Sequence, residues 1–396
     1  MGNITRHQTI APAFMAVALA AVAAAAQSPS FTTITGEIGP GSLYEIAMPT
    51  VPWNGELVVY AHGIVPPSAP IALSDEPKFM ELRETLTSQG FALVYSSYSV
   101  NGWGGVKDGM ARTHQLRGIF ASRVVQPARV YLIGESMGGL IAVMLVESFP
   151  GQYDGALSLC GVLAGGVETV RYLSDARIIF DYFFPGVVPG TLFDVPPGIN
   201  FDPGGPTYVA VRAALIAGLS SNGQPTLQFA NAAKLPAVGP LETITGGMNI
   251  VGMTLTQAPN LLDLTNGHMA YDNSLTWYSG SKDDAALNDP VSGVARYVSD
   301  PSAINYLEHY YRPTGDLRVP VLTLYTARDP ISPKFHEETY REAVVNAGAE
   351  GYLLQREVEA FGHCGLPTFT FPQFGVVTDA FSALVQWVST GVKPQN

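Results

Sequence analysis

The chain has only two cysteines, Cys160 and Cys364, among 396 residues. That excludes a disulfide-rich scaffold and a zinc site built from thiolates, and leaves room for one bridge in an oxidising compartment. Basic residues are scarce as well: 21 lysines and arginines face 33 aspartates and glutamates, a formal charge of −12. So few cations give no electrostatic footprint for a phosphate backbone, and nucleic acid is not an expected partner. Neither G-x-x-x-x-G-K-[ST] nor G-x-G-x-x-G occurs, and His336-Glu337-Glu338-Thr339-Tyr340 lacks the second histidine of a zinc helix. Asp283, Asp284 and Asp289 lack the spacing of a calcium loop and read as a solvated surface. No cofactor or metal is expected.

Hydrophobic residues are plentiful, at 47%, so a large core can form. Charged residues make up 14%, below the ~25% of an average soluble domain. With 41 glycines and 30 prolines, long structured loops are expected. The N-terminus carries Arg6, then an alanine-dominated run from Ile10 to Ala26, interrupted at Pro12. The run is shorter than the ~20 residues that cross a bilayer and ends in Ala24-Ala25-Ala26 before Gln27-Ser28. Residues 1–26 therefore read as a secretory signal cleaved near Ala26, and the mature protein as soluble and secreted or periplasmic, with no membrane span.

Beyond a β-like entry (Phe31 to Ile38, Leu43 to Met48), strand and helix patterns alternate. Apolar runs at Glu56 to Ala61, Phe91 to Tyr98, Arg129 to Ile133 and Ala156 to Cys160 are separated by helical stretches at Pro77 to Ser88, Lys107 to Ser122 and Met137 to Ser148. Such alternation predicts right-handed βαβ crossovers and a mostly parallel sheet covered on both faces. It stops across residues 165–313, a stretch rich in aromatics, proline and glycine, with helical pieces at Tyr208 to Leu219 and Ala303 to Tyr311. Alternation resumes with Val319 to Tyr325, Lys334 to Ala347, Tyr352 to Val358 and a last helix near Asp379 to Val388. The expected organisation is a core in two parts, residues 27–164 and 314–396, with a mainly helical cap of domain size inserted before the acid-bearing strand.

The run Arg129-Val-Tyr-Leu-Ile133 leads into Gly134-Glu135-Ser136-Met137-Gly138-Gly139 and then an apolar helix. In that setting G-x-S-x-G has a mechanical meaning: the serine takes a strained backbone at a tight turn, and the glycines let neighbouring backbone pass. Ser136 is the candidate nucleophile. A serine hydroxyl needs a base, and the base needs an orienting acid; in such a sheet they follow in the order serine, acid, histidine. Asp329, in Thr326-Ala-Arg-Asp329-Pro330 at the end of a resumed strand, is the only carboxylate so placed. Of the seven histidines, His7, His62, His114, His268 and His309 precede it. His336 is close behind and reads as a solvated or capping residue in the first turn of a helix. His363, after a further helix and strand in Phe361-Gly362-His363-Cys364-Gly365, is the expected base. Backbone N–H groups of Met137 and Ile64 are the expected oxyanion donors, and His62 reads as a structural histidine beneath the loop.

His62-Gly63, Gly134-Glu-Ser136-Met-Gly138-Gly139, Asp329 and Gly362-His363 together resemble the α/β-hydrolase superfamily, over residues 40–162 and 316–390. The resemblance implies an α/β-hydrolase fold, with Ser136 as nucleophile, Asp329 as acid, His363 as base and a lid in the insertion. A serine at the elbow speaks against haloalkane dehalogenases. The missing glycine run after His62-Gly63 speaks against the hormone-sensitive-lipase-like branch. In this fold Cys160 and Cys364 both fall at the catalytic edge, where a bridge would tie the histidine loop to the sheet with an entropic gain on the order of 4–5 kcal/mol; two small buried thiols are the alternative. The aromatic insertion, from Phe180 to Tyr311, reads mostly as core, with a remainder forming an apolar or aromatic pocket. The resulting expectation is a serine hydrolase acting on a small-molecule carboxylic ester. A prolyl-type peptidase and an inactive hydrolase-fold binding protein are the other readings.

Overall fold

The computed structural model describes residues 30–199, 201–365 and 372–395; the expected leader, residues 1–26, lies outside the described residues. The chain opens with β1 (Phe31–Ile38), β2 (Ser42–Pro49) and β3 (Glu56–Ala61), then α1 (Pro77–Ser88), β4 (Ala92–Ser96) and α2 (Gly105–Arg123). It continues through β5 (Arg129–Glu135), α3 (Met137–Ser148) and β6 (Gly155–Leu159). Among the described residues, six helices and no strand follow before the sheet resumes: α4 (Gly165–Phe183), α5 (Pro206–Ser220), α6 (Pro225–Ala232), α7 (Gly239–Leu264), α8 (Asp284–Leu287) and α9 (Pro301–Tyr310). The chain closes with β7 (Val321–Arg328), α10 (Phe335–Asn346), β8 (Leu353–Phe361) and α11 (Pro372–Thr390).

The strands form one eight-stranded sheet in the order β1-β2-β4-β3-β5-β6-β7-β8. Pairings from β4 through β8 are parallel, and β2 is antiparallel to both its neighbours. The central strands are short and apolar because both their faces are covered. Along β5 the side chains alternate between two cores: Val130 and Leu132 face α2 and α3, while Tyr131 and Ile133 face α1 and α11. α3 is buried along its whole first ten residues, Met137 to Val146. A helix apolar on every side can only sit inside a core, and each such Leu, Ile or Val contributes ~1.5–3 kcal/mol of burial. The strand before Ser136 and the helix after it are therefore both immobilised.

Two expectations need correction. The 26-residue α7 was not anticipated, because Gly246, Gly247, Gly252 and an internal Pro259 lower its helix propensity. Burial of Met248, Ile250, Val251, Leu255 and Leu261 outweighs that cost. The last helix starts at Pro372, well before Asp379, since proline is favoured in a first helical turn. Among the described residues, no helix is long and apolar enough to cross a membrane.

Candidate active site

Ser136 stands between the end of β5 and the start of α3 with φ 56° and ψ −118°. This left-handed strain holds because the turn is packed from every side. The Ser136 N–H donates to Leu159 O of β6 at 2.8 Å. A methyl group on Gly134 would lie 1.9 Å from Gly138 O, and one on Gly138 would lie 2.0 Å from Ala61 O. Both positions need glycine because backbone passes where a side chain would be. On the other side, a Cβ at Gly63 would contact Ser136 Cβ at 3.4 Å, so the loop after β3 lies against the serine.

β7 ends at Arg328, and Asp329 turns away into Pro330. Its carboxylate is fully buried and accepts the Ile331 N–H at 2.8 Å, the Ser332 N–H at 3.0 Å and the Ser332 hydroxyl at 3.1 Å. These donors fix the oxygens toward the third loop, where His363 follows β8. His363 Nδ1 lies 2.8 Å from Asp329 Oδ2 and 3.1 Å from Oδ1, and Nε2 lies 2.7 Å from Ser136 Oγ. A buried carboxylate accepting from Nδ1–H leaves Nε2 as the acceptor for the serine proton. Three side chains from different loops thus form one unbroken hydrogen-bond series.

Of the named backbone donors, Met137 opens α3, where a first-turn N–H has no intrahelical acceptor. Ile64 follows Gly63 on the loop against Ser136. His62 is buried and stacked on Tyr98 at a ring separation of 3.8 Å. Its Nδ1–H donates to Gly63 O at 2.7 Å, and Tyr98 Oη donates to its carbonyl at 3.1 Å. Burial pushes the His62 imidazole below its usual range, so it is neutral and braces the loop.

His336 is not a solvated residue. Its side chain is fully buried, Nδ1 accepts the Ala164 N–H at 3.1 Å, and burial drives its pKa down to about 3. The first turn of α10 lies against the chain leaving β6, which helix periodicity alone does not reveal. Asp283, Asp284 and Asp289 accept local backbone N–H groups at the ends and turns around α8. Phe180 packs on Phe184 at a ring separation of 4.9 Å and on Phe229 at 5.5 Å, and all three belong to the core, whereas Trp277 is 66% exposed.

The structure adds contributors that the sequence left open or did not indicate. Ser332 helps hold Asp329; its place two residues after Asp-Pro was the available signal. Cys160 and Cys364 form a disulfide. α7 is fastened at both ends: Arg328 Nε donates to Glu242 at 3.0 Å, and Trp103 N–H donates to Asn260 Oδ1 at 2.8 Å. Those anchors belong to the end of β7 and the segment after β4. Since β3, β5 and β6 lie between these strands, α7 crosses the rim that holds Ser136. Behind the disulfide, an apolar cavity is lined by Phe79, Leu82, Leu159, Leu324 and Val358 beside the Lys78–Glu135 ion pair. It does not include Ser136 or His363.

A mostly parallel sheet in this strand order, with a strained serine between its fifth strand and the following helix, decides the fold. The fold is that of an α/β-hydrolase. No family model and no curated protein matches the chain. Among solved structures it is similar to brefeldin A esterase, a bacterial homologue of human hormone sensitive lipase, at 14% identity over 94% of this chain and 79% of that one, TM-score 0.44. It is similar to feruloyl esterase B from Aspergillus oryzae at 14% identity, covering 91% and 81%, TM-score 0.45. It is also similar to the acylaminoacyl peptidase of Pyrococcus horikoshii at 10% identity, covering 93% of this chain and 43% of that one, TM-score 0.45. Likenesses at this identity carry the fold alone, and any activity rests on this chain's own residues.

Proposed function

We propose that this α/β-hydrolase is an exported serine hydrolase that cleaves carboxylic esters through an acyl-enzyme. The observation that carries the reading is the hydrogen-bond series from Ser136 Oγ through His363 to Asp329. Ser136 Oγ attacks the ester carbonyl carbon while His363 Nε2 takes its proton, and Asp329 holds the imidazole tautomer and steadies the imidazolium. Negative charge then builds on the former carbonyl oxygen, where the N–H groups of Met137 and Ile64 receive it; each such donor lowers the barrier by ~3–4 kcal/mol. The imidazolium returns the proton to the leaving alcohol. A water, deprotonated by the same imidazole, attacks the acyl carbon; the bond to Ser136 Oγ breaks, the acid leaves, and the imidazolium returns the proton to Oγ.

Residues 165–313 serve in this reading as the cap, with α7 crossing the rim and the ester's apolar or aromatic part lying beneath it. The Cys160–Cys364 disulfide supports a secreted or periplasmic destination, where oxidised thiols persist.

The test compares p-nitrophenyl esters of several acyl lengths with proline amides, using the native protein and Ser136→Ala, beside fluorophosphonate labelling. Ester turnover with a burst is expected, and Ser136→Ala lowers it on the order of 10⁴–10⁶-fold. Equal ester turnover by both proteins would refute the reading. Cleavage of amides without esters would move the same chemistry to a peptidase.

A further inference from the structure

β6 contributes no reacting side chain, yet the loops that carry the acid and the base are both fastened to its end. Cys160, the residue after β6, is disulfide-bonded to Cys364, the residue after His363, with their Cα atoms 5.2 Å apart. The Cys160 carbonyl lies 3.1 Å from Ser332 Oγ, and the same hydroxyl lies 3.1 Å from Asp329 Oδ2, so its single proton is shared between them. On its other side His363 is preceded by Gly362, whose N–H donates to Arg328 O at 2.9 Å and whose carbonyl accepts from Thr326 Oγ1 at 2.7 Å. The histidine therefore hangs between a hydrogen-bonded fixture on β7 and a covalent one on β6. Both half-cystines are buried and left-handed, with φ 46° at Cys160 and 53° at Cys364. Non-glycine residues seldom adopt that backbone unless their surroundings hold them there.

We infer that the Cys160–Cys364 disulfide is a positioning element for His363, keeping its imidazole aligned between Ser136 and Asp329; this rests on the hydrolase reading. Opening the bridge leaves Gly362 as a hinge, and the imidazole is then held from one side only. Misplacement by about 1 Å can cost on the order of 10²-fold in rate. The loss falls on proton transfer and thus on kcat, since the bridge contributes no group to the expected oxyanion site.

The experiment follows ester kinetics and the rate of fluorophosphonate labelling at Ser136. It uses the oxidised protein, the folded protein reduced with dithiothreitol and then reoxidised, and the Cys160→Ser/Cys364→Ser double variant. Circular dichroism at the assay temperature identifies which samples remain folded. Reversible reduction provides the measurement if the double variant fails to fold. Proton NMR follows the low-field Nδ1–H resonance of the His363–Asp329 hydrogen bond. The expected result is a kcat and labelling rate ~10–100-fold lower in the folded reduced protein, with KM within about twofold and recovery on reoxidation. The low-field resonance should be sharp in the oxidised form and broadened or lost in the reduced one. Equal kcat and labelling in folded oxidised and reduced protein overturns the inference and leaves the hydrolase reading standing. A fall in activity that only tracks lost secondary structure overturns it too, by assigning the bridge a purely structural role. Absence of labelling in the oxidised protein overturns the hydrolase reading and this inference together.

Discussion

Glu337, one residue past the buried His336, makes the stability of the fold depend on pH in a calculable way. Its side chain is almost fully buried in α10, and burial pushes its pKa from 4.5 to about 7. It accepts from Thr323 Oγ1 at 2.5 Å and Gln355 Nε2 at 2.7 Å; these bonds and the charge of Arg341 act in the opposite direction without cancelling the burial. The folded pKa lies above the unfolded one, so the folded state keeps a proton that the unfolded chain releases. Stability is then full below about pH 4.5 and declines as pH rises through about 7. The gap between 4.5 and about 7, at ~1.4 kcal/mol per pH unit, makes the total decline ~3–4 kcal/mol. Glu337→Gln stays neutral at every pH and keeps an acceptor for Thr323. Urea unfolding of both proteins measures the difference, which also cancels other titrating groups such as Glu147, itself raised by burial. At about pH 4.5 the two should agree within ~1 kcal/mol, and above about pH 8 the variant should be more stable by ~3–4 kcal/mol. Parallel stability curves across that range would refute the burial argument.

Two other perturbations probe the site. Gly138→Ala places a methyl 2.0 Å from Ala61 O and 2.7 Å from His62 O, so the elbow and the Ile64 loop must separate. A stability loss of ~1–3 kcal/mol from overpacking should accompany a far larger proportional loss of ester turnover, read by thermal unfolding and a p-nitrophenyl ester assay. Glu242→Gln removes the Arg328–Glu242 ion pair, whose side chains are 26% and 21% exposed, while Arg328 keeps Glu359. Stability should change by less than ~1 kcal/mol, and KM for long-chain esters should change more than kcat for short ones if α7 governs access.

What was legible in the sequence was local. α1 and α3 begin and end where the apolar pattern and the flanking turns place them, because each is bounded by glycine, proline or a strand. Ser136, Asp329 and His363 were named from chain order and loop chemistry, and their side chains meet within 3.1 Å. Relations across the fold were less legible. The burial of His336 depends on Ala164, far away in the chain. The cysteine pairing depends on two loops converging at one rim, which spacing leaves open. α7 was hidden because its glycines and proline argue locally against a helix that tertiary burial stabilises.

The distribution of backbone strain connects these points. Among the described residues seven non-glycine residues have positive φ, and four of them, Tyr98, Ser136, Cys160 and Cys364, lie at the rim where the parallel strands end. Each carries a fastening: Tyr98 hydrogen-bonds to His62 O, Ser136 N–H to β6, and the two cysteines to each other. A left-handed non-glycine residue costs of order 1–3 kcal/mol, so it persists only where surrounding contacts exceed that cost. The concentration of both strain and fastenings at one edge means that the rim, unlike the opposite end of the sheet, is held in a geometry the local chain would not choose. Its rigidity comes from contacts between loops distant in sequence. Substitutions that loosen those contacts should therefore lower activity before they lower the stability of the two cores beneath.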